Sequence, residues 1–313
     1  MRIACFGLAV LLLCGCSAHP KHHTNSVKQV VSPAAGGAFS SCAPGMELLL
    51  QSSLKSDHLL ELSAKPISHE CYDQMLAWLN ENPHLTSLSM VQMGLSDVDL
   101  IDLLYYLDQS PIEHLILSKN NLTDASMSAL QGYLANSSSL SEIDLSNNPI
   151  GSVGACIIAD GLALRHASKL NTLKRLDLSA TGLDDEGLNC LFAEVFALPQ
   201  AVSFSNNDLQ NWQLDMLPEV SLKLEELDLN GVRLDTKAMA SIVSIVQHQQ
   251  GLEVLNFSEN TLSRSQFQSL MDAVHQHPAL QILNVAFSMK PDFEKIVNEV
   301  LADKPTLRVQ VQP

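Results

Sequence analysis

Positive charge is scarce in this chain: 18 Lys and Arg stand against 34 Asp and Glu, a formal net charge of −16. A nucleic-acid binder needs clustered cations to displace counterions from the phosphate backbone, so no nucleic acid partner is expected. The same deficit excludes an electrostatic hold on anionic lipid and would steer a basic partner towards the surface. Aromatics make up only 5% and charged residues only 17%, so a core must come from aliphatic side chains. The apolar run Ile3 to Leu13 falls well short of the roughly 20 residues needed to span a bilayer. No Cys-x-x-Cys occurs, which leaves a zinc site or thioredoxin-type chemistry without support. No cofactor is expected, and no calcium loop either, because Asp184, Asp185 and Glu186 suit a helix start and lack further ligands at regular spacing.

What is abundant is one phrase, Leu-x-x-Leu-x-Leu-x-x-Asn-x-Leu. It stands as Ile112, Leu115, Leu117, Asn120, Leu122 and again as Leu140, Ile143, Leu145, Asn148, Ile150. Its third apolar position recurs as Leu62, Met90, Leu117, Leu145, Leu178, Phe204, Leu229, Phe257 and Val285, at intervals of 25 to 33 residues. A unit this small cannot bury its own apolar side and must stack on its neighbours, so about nine repeats predict a solenoid. Strict alternation at Glu142 to Ser146 predicts a short strand in each unit. The apolar spacing after each phrase, for example Leu95 followed by Leu100, Leu103, Leu104 and Leu107, predicts a helix. Ser68, Ser96, Thr123, Asp184, Asp235 and Ser263 are suited to cap those helices. Pro218 should cut the sixth helix short after Leu214 and Leu217. The longest interval, around Arg165 to Asn171, is expected to be a surface loop.

This pattern resembles the leucine-rich repeat superfamily, and its helix-bearing units of about 28 residues resemble the ribonuclease-inhibitor subfamily. The resemblance covers roughly residues 57–290. It departs at the Asn position, where Lys65, Met93, Thr181 and Val232 stand instead. It implies an α/β solenoid with parallel strands on a concave face and helices on a convex one. Strands stack about 4.8 Å apart whereas helices need about 10 Å, which bends the coil. Such folds bind proteins mostly through the concave side.

Arg2, the apolar run and the small Gly15 before Cys16 read as an export signal over residues 1–15. The ending Leu13-Cys14-Gly15-Cys16 resembles the bacterial lipobox, which implies a lipidated Cys16, and Ser17 implies sorting to the outer membrane by resemblance to Gram-negative lipoproteins. Contact with the membrane would then be through that lipid alone. Residues 16–45 read as the lipidated Cys and a flexible tether whose His19, His22 and His23 have no fixed geometry for a metal. A capping helix is expected over 46–56, the solenoid over 57–306 and a capping strand over 307–313.

Export leaves Cys42, Cys71, Cys156 and Cys190 in an oxidising compartment. Cys42 and Cys71 could staple the cap or remain two buried thiols. Cys156 and Cys190 lie six and seven residues beyond Ile150 and Leu183, near enough to pair, yet offset by one residue in a way that could point them apart.

Outward strand positions define the candidate binding face. The middle column runs Glu61, Ser89, Ile116, Asp144, Asp177, Ser203, Asp228, Asn256 and Asn284. Glu142, Arg175 and Glu226 belong to the column before it, and Glu259 lies just past the eighth strand. Together they make an acidic stripe interrupted by Arg175, against the plainer reading that outward polar residues only keep the sheet soluble. Ile116, Val254, Ile282 and Phe287 are candidate apolar anchors, although Phe287 could equally turn inward. The Ser column (Ser63, Ser118, Ser146, Ser179, Ser205, Ser258) lacks systematic His and acid partners, so it reads as repeat architecture and not as nucleophiles. The expectation is a monomeric, non-catalytic envelope protein that binds another protein, periplasmic or at the cell surface. An assembly scaffold and a host-directed effector are the alternatives, and an enzyme is the least favoured.

Overall fold

The computed structural model describes residues 46–56, 58–64, 69–170, 172–193, 199–213, 224–286 and 291–312. Cys16, Cys42, the export signal and tether, Lys65, Ile67, Ser68, Leu214, Leu217, Pro218 and Phe287 lie outside the described residues.

Helix α1 (Met46–Ser53) leads into β1 (Leu54–Ser56) and β2 (Leu59–Ser63), and α2 (His69–Glu81) into β3 (Ser87–Val91). Then come α3 (Asp97–Tyr106), β4 (His114–Ile116), a 3-10 turn (Asp124–Ser126) with α4 (Met127–Asn136), β5 (Glu142–Asp144) and α5 (Gly151–Ala167). The second half continues with β6 (Arg175–Asp177), α6 (Asp185–Ala193), β7 (Ala201–Ser203), β8 (Glu226–Asp228), α7 (Thr236–His248) and β9 (Val254–Phe257). It closes with α8 (Arg264–Gln276), β10 (Ile282–Ala286), α9 (Pro291–Asp303) and β11 (Arg308–Gln312). All eleven strands form one sheet in chain order. From β2 onward every pairing is parallel. A parallel ladder in strict sequence order, with a described helix after every strand from β2 to β10 except β7, is a solenoid: the fold is that of a leucine-rich repeat protein.

The spine that holds it is aliphatic. Leu62, Met90, Leu117, Leu145, Leu178, Phe204, Leu229, Phe257 and Val285 are all buried, and they join one continuous core with helix residues such as Leu103, Leu130, Ile158, Leu188, Ile242 and Leu270. Fully burying each such side chain stabilises by about 1.5–3 kcal/mol, offset largely by chain entropy. Ser96 and Ser263 sit in capping boxes and Asp235 accepts from the Ala238 N–H. Thr123 caps the 3-10 turn ahead of α4, and not the helix itself.

The turn after each strand repeats a conformation that the apolar pattern did not reveal. Ala64, Gln92, Lys119, Asn147, Ala180, Asn206, Gly231 and Glu259 all have φ between 53° and 61°. For residues other than glycine the left-handed region costs about 1–2 kcal/mol. The cost is offset because the turned N–H reaches the next repeat, as in Lys119 to the Ser146 carbonyl at 2.9 Å and Ala180 to the Ser205 carbonyl at 2.8 Å. The following Asn then bridges backward. Asn148 Oδ1 accepts from the N–H groups of Asn120 (3.1 Å) and Leu122 (3.2 Å), while its Nδ2 donates to the Leu117 and Leu145 carbonyls. Where Thr181 replaces Asn, its hydroxyl donates only to the Leu178 carbonyl.

Two sequence expectations are corrected. The extra residues between Leu145 and Leu178 do not form a surface loop at Arg165: they lengthen α5 to 17 residues, and Arg165 is buried inside its last turn. Its guanidinium donates to the carbonyls of Leu134 and Ser137 at the end of α4, to that of Leu140 ahead of β5, and to Thr172 Oγ1. That is why a cation tolerates burial there. The first cap is not helical throughout, because Leu54–Ser56 pairs antiparallel with β2 and covers its free edge. At the far end β11 is a tenth parallel strand, placing Val311 beside Val285.

Candidate functional site

The ladder registers align the outward residues into straight columns. Glu61, Ser89, Ile116, Asp144, Asp177, Ser203, Asp228, Asn256, Asn284 and Gln310 are consecutive partners across the sheet. The neighbouring column runs Ser87, His114, Glu142, Arg175, Ala201, Glu226, Val254, Ile282 and Arg308. Glu259 is exposed on the left-handed turn past β9 and belongs to neither column. Ile116, Val254 and Ile282 are half-buried.

The flanking column spends much of its charge internally. His114 Nδ1 lies 3.0 Å from Glu142 Oε2. Arg175 reaches past β7, where the small Ala201 leaves room, and its Nη2 donates to Glu226 Oε2 at 2.7 Å. That bond pushes the guanidinium further above its ordinary value, with the charges of Glu226, Glu142 and Asp177 adding to it. Glu142 and Glu226 therefore each face a local partner.

The middle column differs. Asp144, Asp177 and Asp228 each turn one oxygen down to accept the N–H two residues on, from Ser146 (2.8 Å), Ser179 (2.8 Å) and Asn230 (2.9 Å). This Asx arrangement shapes the exit from the strand. Asn256 makes the same bond to Ser258 with a neutral amide, so the turn does not require a charge. Burial pushes the carboxyls of Asp177 and Asp228 above the ordinary carboxylate range. For Asp177 the charges of Asp144 and Asp228 raise it further, against the hydrogen bonds from Ser179. The column thus carries three carboxylates, Asp144, Asp177 and, past Ser203, Asp228, and no Lys or Arg stands in it from Glu61 to Gln310.

The serine column is buried at Ser118, Ser146, Ser179, Ser205 and Ser258. Ser179 and Ser258 bond to Asp177 and Asn256 two residues earlier, a local turn geometry and not a triad. Cys156 on α5 and Cys190 on α6 are joined by a disulfide with Cα atoms 5.0 Å apart. Cys71 is also disulfide-bonded; Cys42, its expected partner, lies outside the described residues. Sequence reasoning missed the Asx role, although the spacing Asp144-Leu-Ser146, Asp177-Leu-Ser179, Asp228-Leu-Asn230 and Asn256-Phe-Ser258 carries it. It could not have found the Arg175–Glu226 pair, whose members are 51 residues apart.

Comparison with known proteins agrees with this geometry. Residues 109–130, 136–155 and 169–192 match the family described as Leucine Rich repeat. The human NACHT, LRR and PYD domains-containing protein 12 is 29% identical over 271 residues, which cover 83% of this chain and 25% of that protein. The human NACHT, LRR and PYD domains-containing protein 5 is 26% identical over 227 residues, 69% of this chain and 18% of that one. Ribonuclease inhibitor of Sus scrofa is 29% identical over 191 residues, 59% of this chain and 41% of the inhibitor. The chain thus spans less than half the length of each of these curated relatives. Among solved structures, an internalin from Listeria monocytogenes aligns over 86% of this chain and 89% of its own at 13% identity and a TM-score of 0.36. TLR13 from its ssRNA13 complex aligns over 81% and 32% at 18% identity and a TM-score of 0.44. The repeat fold is defined by this chain's own ladder and pattern, independently of those two superpositions.

Proposed function

We propose that this chain is a non-catalytic, lipid-anchored envelope protein that grips a protein partner with a basic surface through the strand face. The observation that carries this reading is the column Asp144, Asp177, Asp228. These three residues do a turn-making task that the neutral Asn256 does equally well, yet they bring charge to the centre of the face. Complementary charge of this kind sets specificity and encounter rate. Ribonuclease inhibitor, by its name, acts on a protein, which supports a protein target here. Lipidation at Cys16 and residence in the outer membrane belong to the same proposal and rest on the signal-like sequence; mass spectrometry of the mature N-terminus tests them.

The test of the binding face uses Asp144→Asn, Asp177→Asn and Asp228→Asn together, because Asn keeps the turn. Crosslinking from intact cells, followed by identification of the captured protein, should recover a cationic target from the wild type. The triple variant should lose on the order of tenfold in affinity for it, and rising salt should weaken the wild type more than the variant. Since Asp177 and Asp228 protonate above the ordinary carboxylate range, affinity should fall on acidification before exposed carboxylates titrate. Unchanged capture by a folded triple variant would remove the column from consideration.

A further inference from the structure

Every large apolar side chain that stands exposed among the described residues sits on two helices of the outer face. Val98, Ile101, Tyr105 and Tyr106 are on α3, and Val153 and Leu164 are on α5. Single exposed apolar residues are normal on any surface. Six on two helices separated by one are not scattered. On α3 the spacing Val98, Ile101, Tyr105 makes one stripe about 10 Å long at 1.5 Å per residue. On α5, Val153 and Leu164 are three turns apart on one face, about 16 Å. Between these helices α4 shows solvent the small Ser128 and Gly132, and a Cβ on Gly132 would meet nothing within 4 Å. Two apolar walls therefore flank a low floor.

The charge around this trough is mostly negative: of the cations near its walls, Arg165 is buried inside α5 and only Lys169, past the end of α5, is exposed. Residues 66–164 contain twelve Asp and Glu and a single Lys or Arg, Lys119, which sits on a strand-exit turn and not on a helix. Asp102 follows Ile101, Asp108 follows the end of α3, Asp124 precedes α4, and Asp160 lies in the same stripe as Val153 and Leu164. A binder with an acidic or neutral apolar face would meet repulsion or no reward here. One with cationic flanks would not.

We propose that the trough over α4, walled by α3 and α5, docks an amphipathic helix of a partner protein whose apolar stripe is flanked by Lys and Arg. The axes of α3 and α5 stand two interhelical spacings apart, roughly 16–20 Å, so a helix about 10–12 Å across would ride over α4 with its apolar side chains between those of the two walls. Its apolar stripe would meet Ile101 and Tyr105, and its basic flanks would meet the surrounding aspartates. The site lies on the helix side of the solenoid, opposite the strand face, and stands or falls independently of what that face binds.

Three synthetic helical peptides test this: a Leu/Lys amphipathic helix, a Leu/Glu helix of the same apolar pattern, and a Lys/Gln helix with charge but no apolar stripe. Binding to the full chain is read by fluorescence anisotropy, and the footprint by amide hydrogen exchange. The Leu/Lys peptide alone should bind and protect α3 to α5. Ile101→Ser with Tyr105→Ser, and separately Asp102→Asn with Asp108→Asn, should each weaken it on the order of tenfold. Asp144→Asn, Asp177→Asn and Asp228→Asn should leave it unchanged. Should the serine variant melt early, the asparagine variant decides alone. Equal binding of the Leu/Glu or Lys/Gln peptide, a footprint on the strands, or insensitivity to the α3 substitutions overturns the proposal. So does sedimentation showing that the patch pairs two copies of this chain, or capture by anionic vesicles that competes with the peptide.

Discussion

Asn148 has five backbone partners in two repeats, all buried. Replacing it with Ala orphans the Asn120 and Leu122 N–H groups and the Leu145 carbonyl, each costing about 1–3 kcal/mol, while the Leu117 carbonyl keeps its bond from Asn120 Nδ2. Denaturant unfolding of Asn148→Ala should therefore lose at least about 3 kcal/mol. Asn148→Thr should lose less, because a hydroxyl can still donate to one carbonyl as Thr181 does. His277 offers a pH test at the same scale. Its ring is buried, with one nitrogen against the Gln249 carbonyl and the other accepting from the Ala279 and Leu280 N–H groups. Burial holds its pKa below the ordinary value against the pull of the Gln249 bond, and the nearby Lys304 charge acts with burial. A depressed folded pKa means the unfolded chain takes up the proton first. The stability is thus fully present above about 6.5 and drains as pH falls below it, by at most about 1.4 kcal/mol per pH unit. Equilibrium unfolding at stepped pH should show that slope in the wild type and lose it in His277→Asn.

At the scale of elements, α4 and α5 approach closely because glycine faces backbone. A Cβ at Gly161 would lie 3.1 Å from Gln131 Cα and 3.2 Å from its carbonyl oxygen, whereas one at Gly132 would meet nothing. Gly161→Ala should therefore destabilise by about 1–3 kcal/mol through overpacking. Gly132→Ala should stabilise by roughly 0.5–1 kcal/mol through helix propensity alone. Equal and favourable shifts in melting temperature for both would show that the helices can move apart without cost. The apolar period was enough to foresee these helices, since Leu130 and Leu134 or Ile158 and Leu162 lie on one face of each. It could not foresee Arg165, whose buried guanidinium is explained by three carbonyls from the previous repeat, with Thr172 Oγ1 its one partner from its own.

Across the whole molecule, contacts run between neighbouring repeats, so stability is close to a sum of units and interfaces. The Cys156–Cys190 bridge closes a loop of 34 residues, worth about 3–4 kcal/mol on a chain-entropy estimate. Its selective removal in Cys156→Ser with Cys190→Ser should raise amide exchange in α5 and α6 and leave α8 and α9 protected. Uniform loss of protection along the chain would mean that the array unfolds as one cooperative block. The acidic column is a property of this scale as well, because Asp144, Asp177 and Asp228 come from separate units and become a row only through the register of β5 to β8.

By itself the sequence determined the period, the strand and helix of each unit, and the columns of outward residues, because a repeat allows a buried aliphatic position only one place in the stack. Only the tertiary structure decided which charges meet an opposite charge and which meet hydrogen-bond donors alone. Arg175 crosses Ala201 to Glu226 and His114 meets Glu142, whereas Asp144, Asp177 and Asp228 accept from the N–H groups two residues on and have no cation in their own column. Those partnerships depend on distances between strands tens of residues apart, and a linear pattern does not contain such distances.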